Sequence, residues 1–309
     1  GVLMGALAVT VIVVTRHEQS RLERCLRALK DFDDVVVVDS LSTDRTRLIA
    51  KECGARVEVF LWNGRYPKKR QWCLDHVNVK YDWIFFVDAD EIVTPELIES
   101  IRSMDFEAAG YFVRGRYMMH GRVLTHGMTN NKLCLFHRGR MMFPVVDDLD
   151  IPGMGEIEGH YQPVLRPEGK DRAIRQMPGY VIHHALADEA EWTARHERYA
   201  QWEAHMIARR AYPVDPTPWR EALKTIFHQI PGRGVFAFLH SYIFKAGFMD
   251  GRDGFDLARG RYFYYRLVAC ALSTLRTAPD IRGGASMLSI VVHKYKHFLS
   301  RICRPLTGQ

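Results

Sequence analysis

The sequence predicts an α/β protein, a mostly parallel sheet flanked by helices, with a helical C-terminal extension. Three observations carry this prediction. Short β-branched runs alternate with amphipathic stretches through the first hundred residues. Those runs are nearly all apolar, the pattern of strands covered on both faces rather than on one. The chain is also large enough to fill such layers, with 309 residues of which 47% are hydrophobic and 26% charged.

Ala6–Thr15 is the first expected strand. Its apolar run has no basic stretch ahead of it, so it reads as a buried strand rather than a signal peptide, with Met4 as the native start. In Gln19–Leu29, residues Leu22, Cys25, Leu26 and Leu29 fall on one helical face. Val35–Val38 is a second strand, and Asp44–Cys53 a helix stopped by Gly54. Arg56–Phe60 is a third strand, Lys68–His76 a helix and Trp83–Val87 a fourth strand. Thr94-Pro95 opens another helix, a capping residue followed by proline in the first turn.

From Gly110 the rhythm changes. Tyr111–Met118, Leu133–His137 and Tyr180–His184 read as strands, and Ala187–Ala208 as a long helix. The Pro-rich stretch from Tyr212 to Trp219 is the expected boundary, giving a domain at 1–211 and a helical, basic region at 212–309.

Charge divides the same way. Residues 1–218 hold 29 Lys and Arg against 31 Asp and Glu, and residues 219–309 hold 14 against 5. A basic tail on a neutral body points to an anionic partner. No apolar run reaches the roughly 18 residues that span a bilayer. The six cysteines form no CxxC pair, which disfavours structural zinc and disulfides and suits reduced thiols in the cytoplasm.

In open α/β sheets, ligands bind beyond the carboxyl ends of the strands. Here those ends read Thr15-Arg-His-Glu18, Asp39-Ser-Leu-Ser-Thr-Asp44 and Asp88-Ala-Asp90-Glu91. Asp39 and Asp44 are also good helix caps, and a lone Asp-x-Asp is common in surface turns. This one follows Trp-Ile-Phe-Phe-Val, which is too apolar for a surface turn. Three acidic strand ends make a crevice that admits an anion only with a divalent metal, and Asp-x-Asp suits Mg²⁺ or Mn²⁺ on a diphosphate. There is no GxGxxG, P-loop or HExxH.

The motifs Val-Ile-Val-Val-Thr-Arg-His-Glu, Val-Val-Val-Val-Asp-Ser-Leu-Ser-Thr-Asp and Phe-Phe-Val-Asp-Ala-Asp-Glu resemble the nucleotide-sugar core of family 2 glycosyltransferases with the GT-A fold. Residues 133–140, 196–204 and 247–255 resemble the branch that builds the lipopolysaccharide inner core, such as the heptose β-1,4-glucosyltransferases. The resemblance implies a UDP-sugar donor, a saccharide or glycolipid acceptor, Mn²⁺ or Mg²⁺, and a place in the cytoplasm or at the inner face of the membrane. It implies donor contacts from Thr15, His17, Glu18, Asp39, Ser40, Arg70, Asp88 and Ala89. The metal falls to Asp90, with Asp88 and His184 as further candidates. The relatives' His-Glu pair, about sixty residues after Asp-x-Asp, becomes Asp147-Asp148 here, which makes Asp148 the expected general base. Asp147, Glu156 and Glu158 are the alternatives. Lys68-Lys69-Arg70 also reads as a solvated helix start.

Two other functions fit less well. A nucleotidyltransferase needs a Gly-rich loop where Arg16-His-Glu-Gln stands. A nucleic-acid binder is suggested only by Tyr262-Phe-Tyr-Tyr-Arg266, and no nucleic-acid partner is expected. The basic amphipathic stretch Met287–Arg304 and the aromatic stretch Val235–Phe248 suggest instead an anionic membrane surface.

Overall fold

The computed structural model describes residues 7–184, 189–230, 232–277, 292–293 and 296–297. The opening half follows the expected alternation. Strand β1 (Thr10–Thr15) leads to helix α1 (Leu22–Arg27), β2 (Val35–Asp39), α2 (Thr46–Glu52), β3 (Arg56–Val59), α3 (Lys69–His76) and β4 (Trp83–Asp88). A short β5 (Glu91–Val93) precedes α4 (Pro95–Arg102), where the Thr94 hydroxyl accepts from the Leu97 backbone N–H as the sequence predicts.

The second half adds β6 (Gly110–Met119), β7 (Arg122–Val123), β8 (Asn130–His137), β9 (Met141–Met142), β10 (Val164–Leu165) and β11 (Ile174–His183). Helices α5 (Glu189–Arg209), α6 (Pro218–Gln229), α7 (Arg233–Leu239) and α8 (Gly251–Thr277) follow.

The main sheet runs β3-β2-β1-β4-β8-β6-β11-β5, with β7 paired to β6. The β3-β2-β1-β4 half is parallel, with helices between its strands. Strand β8 then runs antiparallel to both β4 and β6, and β11 is parallel to β6. Register decides what this builds. Thr15 lies opposite Asp39 and Val14 opposite Asp88, so β1, β2 and β4 end level and their polar terminal residues share one edge.

The core is filled by the apolar runs themselves. Val11, Ile12, Val13, Val36, Val37, Val38 and Phe85 are fully enclosed, as strands with both faces covered require. A second, smaller cluster joins Met119 and Leu124 to Ala200 on α5 and to Leu267, Val268 and Cys270 on α8. It draws residues from both sides of the 211/212 junction. The five described cysteines are free thiols. The amphipathic stretch Met287–Arg304 lies outside the described residues, apart from four positions.

Candidate active site

At the end of β1 and β2, Asp39 is completely buried and organises two loops at once. One carboxylate oxygen accepts from the Thr15 hydroxyl at 2.9 Å, and the other accepts from the Ser42 backbone N–H at 2.8 Å. The next loop is tied down in turn: His17, in the left-handed region at φ 56°, donates its backbone N–H to the Ser42 hydroxyl. The Glu18 carboxylate is paired with Arg21 at 2.8 Å. Ser40 donates to Glu156 at 3.0 Å, and Lys69 donates to the Thr15 carbonyl at 3.0 Å. Thr15, His17, Glu18, Asp39 and Ser40 are thus brought together on one edge.

Lys68 and Lys69 are almost wholly buried, so this run is no solvated helix start. Arg70 lies in the first turn of α3, and its guanidinium donates to Asp88 at 2.8 Å.

The Asp-x-Asp segment forms the turn between β4 and β5. Asp88 also accepts from Lys132 at 2.7 Å, and Lys132 lies 2.5 Å from Glu91. Burial opposes the charge on Asp88, but Lys132 and Arg70 outweigh it and hold the carboxyl well below the usual carboxylate range. Ala89 is buried between the two aspartates.

Asp90 is buried differently. Its Oδ2 lies 3.3 Å from Arg195 and 3.6 Å from His183, while Oδ1 is enclosed with no hydrogen-bond partner among the described residues. Burial would lower the His183 pKa, yet Asp90 and Glu91 raise it above the ordinary histidine value. His184 gives its backbone N–H to the Asp90 carbonyl, and its pKa is lowered by burial and by Arg24. The histidine whose ring approaches Asp90 is therefore His183 and not His184.

Among the described residues no three His, Cys, Asp or Glu side chains form a ready-made metal cage. Mg²⁺ and Mn²⁺ need none, because they commonly rest on one or two carboxylates and the phosphates of the substrate. The orphaned Oδ1 of Asp90 is a hard oxygen of the right kind, so the residues present fit such an ion.

Asp148 does not stand where a base facing an acceptor would stand. It is 0% exposed, and Lys68 at 2.9 Å, the Tyr66 hydroxyl at 2.5 Å and the Trp202 indole N–H at 2.8 Å occupy its oxygens. This is a buried ion pair that pins the 143–161 loops to α3 and α5. The sequence expectation is corrected on that ground. Asp147 is exposed and lies 3.9 Å from Arg209. Breaking a buried pair by removing one partner costs about 3–5 kcal/mol, because the other charge stays buried. Asp148→Asn is accordingly expected to lower the unfolding free energy by about that amount in denaturant titrations, whereas turnover per folded molecule persists.

Between the sheet edge and the C-terminal helices lies a cleft of about 580 Å³. Arg70, Asp88, Lys132, Glu158, His183 and Arg195 line it, together with aromatic and basic side chains of α5, α6 and α8. Glu158 accepts from the Arg70 backbone N–H at 2.8 Å. Burial raises its pKa despite the nearby Arg70. A Cβ on Gly159 would meet the Trp202 ring at 2.3 Å, so only glycine lets this loop lie flat on the indole and present Glu158.

Lys132, Glu91, His183 and Arg195 were not singled out as site residues from sequence, though His183 stood beside His184. One signal was available: Lys132 is the one Lys or Arg of β8 and directly precedes its apolar run Leu133–Phe136. Arg195 gives none, since its partner lies 105 residues away.

Residues 10–142 match the model for glycosyl transferase family 2. An uncharacterized glycosyltransferase of Rickettsia bellii is 38% identical over 94 residues, which is 30% of this chain and 31% of that protein. A glycosyltransferase of the SPbeta prophage of Bacillus subtilis is 25% identical over 146 residues, 40% of this chain and 34% of its own. The chain thus spans about a third of the length of these curated relatives. Among solved structures, a mannosyltransferase from Pyrobaculum calidifontis with GDP-Man and Mn²⁺ superposes with a TM-score of 0.43 at 16% identity, covering 96% of this chain and 86% of that one. Glucosyl-3-phosphoglycerate synthase from Mycobacterium tuberculosis with phosphoglyceric acid gives 0.38 at 18% identity, covering 65% and 79%. The matched segment begins at β1, includes all three strand ends and closes at β9.

Proposed function

We propose that the protein is an inverting, metal-dependent glycosyltransferase that moves a hexose from a nucleoside diphosphate sugar to an acceptor hydroxyl in the cleft. The observation that carries this reading is the register that brings Thr15, Asp39 and Asp88 level on one edge, with an Asp90 oxygen beside them that has no hydrogen-bond partner among the described residues. The nucleoside rests against the loops that Asp39 ties together, and Arg70 and Lys132 hold Asp88 ionised. Asp90, with Asp88, would hold the divalent ion, which when bound neutralises the diphosphate leaving group.

Glu158 is the general base in this reading, because it lines the cleft while Asp148 does not. The acceptor oxygen bonds to the sugar C1 as the C1–phosphate oxygen bond breaks, its proton passes to the Glu158 carboxylate, and the nucleoside diphosphate leaves. The resemblance of residues 133–140, 196–204 and 247–255 to the inner-core branch supports UDP-glucose as donor and a saccharide of the cell envelope as acceptor.

Thermal shifts against UDP-, GDP-, CMP- and dTDP-sugars, each with and without Mn²⁺, test the donor class. A donor at about 100 times its Kd stabilises the fold by about 2.7 kcal/mol. UDP-sugars with Mn²⁺ are expected to give the largest upward shift. No shift with any of the four at millimolar concentration contradicts the proposal.

A further inference from the structure

Two of the C-terminal helices are packed with inverted polarity. On α7, Arg233, Gly234 and Ala237 face inward, followed by the buried Ser241 of the next turn. A Cβ on Gly234 would come within 2.8 Å of the Tyr262 carbonyl, so α7 lies close on α8 through its small residues. The large residues point out: Val235, Phe236, Leu239, Ile243 and Phe244 are all exposed, Phe244 at 73%. Their spacing makes one stripe that continues from α7 through the π-helical turn His240–Phe244. The following turn, Gly247–Asp250, adds exposed Phe248 and Met249.

Helix α6 repeats the arrangement. Its Arg220, Lys224 and His228 line the cleft, while Trp219, Leu223 and Ile226, at four- and three-residue spacing, face solvent. The Phe227 and Phe236 rings, 5.7 Å apart, join the two helices. A water-soluble helix buries its apolar stripe, and apolar surface of this extent marks an interaction site.

Charge identifies the occupant. Between residues 219 and 277 the exposed charged side chains are Lys245, Arg252, Arg266 and Arg276, all cations. The acids of the same stretch, Glu221, Asp250, Asp253 and Asp256, are buried or half-buried. A two-fold contact between copies through this face would bring like charges together, whereas an anionic lipid surface complements them. No helix among the described residues is long and apolar enough to cross a membrane. We infer that the outer face of α6, α7 and the π-helical turn is a monotopic docking surface for an anionic phospholipid bilayer. Its aromatic and aliphatic side chains enter the acyl boundary, and Lys245 and Arg252 sit at the headgroups. Because α6 also walls the cleft, docking brings the cleft within about one helix diameter, on the order of 10 Å, of the lipid.

Flotation of the full-length chain with vesicles tests this directly. Vesicles of phosphatidylcholine containing phosphatidylglycerol should carry the protein, and pure phosphatidylcholine vesicles should carry far less. The double variant Ile243→Glu/Phe244→Glu alters only exposed positions, so it should keep its melting temperature while vesicle binding falls roughly tenfold or more. Lys245→Glu/Arg252→Glu should remove most of the salt-sensitive part of binding. The inference is overturned if the wild type ignores anionic vesicles at low salt, or if the folded Ile243→Glu/Phe244→Glu variant floats as well as wild type. It is equally overturned if sedimentation shows a dimer that this variant dissociates while lipid binding is unaffected.

Discussion

Asp90→Asn is expected to abolish nearly all turnover while leaving the protein folded. Among the described residues, Asp90 has one oxygen enclosed and unpartnered and the other shared between Arg195 and His183. An amide of the same shape still accepts from Arg195, so packing survives. It cannot supply the negative charge that draws a divalent ion to a diphosphate, and that electrostatic contribution is worth several kcal/mol, on the order of a thousandfold or more in rate. Calorimetric titration separates the causes. Mn²⁺-dependent binding of UDP should weaken sharply, and metal-independent nucleotide binding at the Asp39 loops should change little. If the variant binds UDP with Mn²⁺ as tightly as wild type and turns over normally, Asp90 is not the metal residue.

Glu158→Gln is the second large effect. Glutamine retains the hydrogen bond from the Arg70 backbone N–H but cannot take a proton, so kcat should fall on the order of a hundredfold to ten-thousandfold with KM for the donor nearly unchanged. The pH profile adds a sign. Burial raises the Glu158 pKa above that of an ordinary glutamate, so on the acidic side the group is protonated and idle as a base. Activity should therefore rise with pH through a midpoint above the usual carboxylate value, and this acidic limb should vanish in the variant. For stability the sign is opposite. A raised folded-state pKa favours the fold at low pH, and that contribution is lost as pH rises through the folded pKa. Neutralising Glu158 should then leave the protein at least as stable as wild type at neutral pH. If Glu156→Gln removes turnover and Glu158→Gln does not, the base is the residue beside Ser40.

The parallel half of the sheet was legible because its strands are buried on both faces, so unbroken β-branched runs stand out against amphipathic helices. The three acidic strand ends were legible for the same reason: a carboxylate that terminates such a run cannot be a casual surface residue. The order β8-β6-β11-β5 was not legible, since β11 pairs with β6 and β5 from far along the chain and leaves no local pattern. Asp148 shows a different limit. Its charge and position in the chain suit a base, and only the fold reveals that Lys68, Tyr66 and Trp202 enclose it. Helix α7 shows a third. Periodicity reveals that one stripe is apolar, but which way the stripe faces depends on the small residues opposite, which fit against α8.

Hydrogen exchange with and without UDP-glucose and Mn²⁺ tests the central claim most directly, because it reports where the donor sits without requiring the acceptor. Bound ligand suppresses the local openings through which amides exchange. Protection should concentrate in residues 14–18, 39–46 and 87–91, the ends of β1, β2 and β4, and its Mn²⁺-dependent part should be lost in Asp90→Asn. Protection that spares all three strand ends, or that appears only elsewhere in the chain, would contradict a donor site on this edge of the sheet.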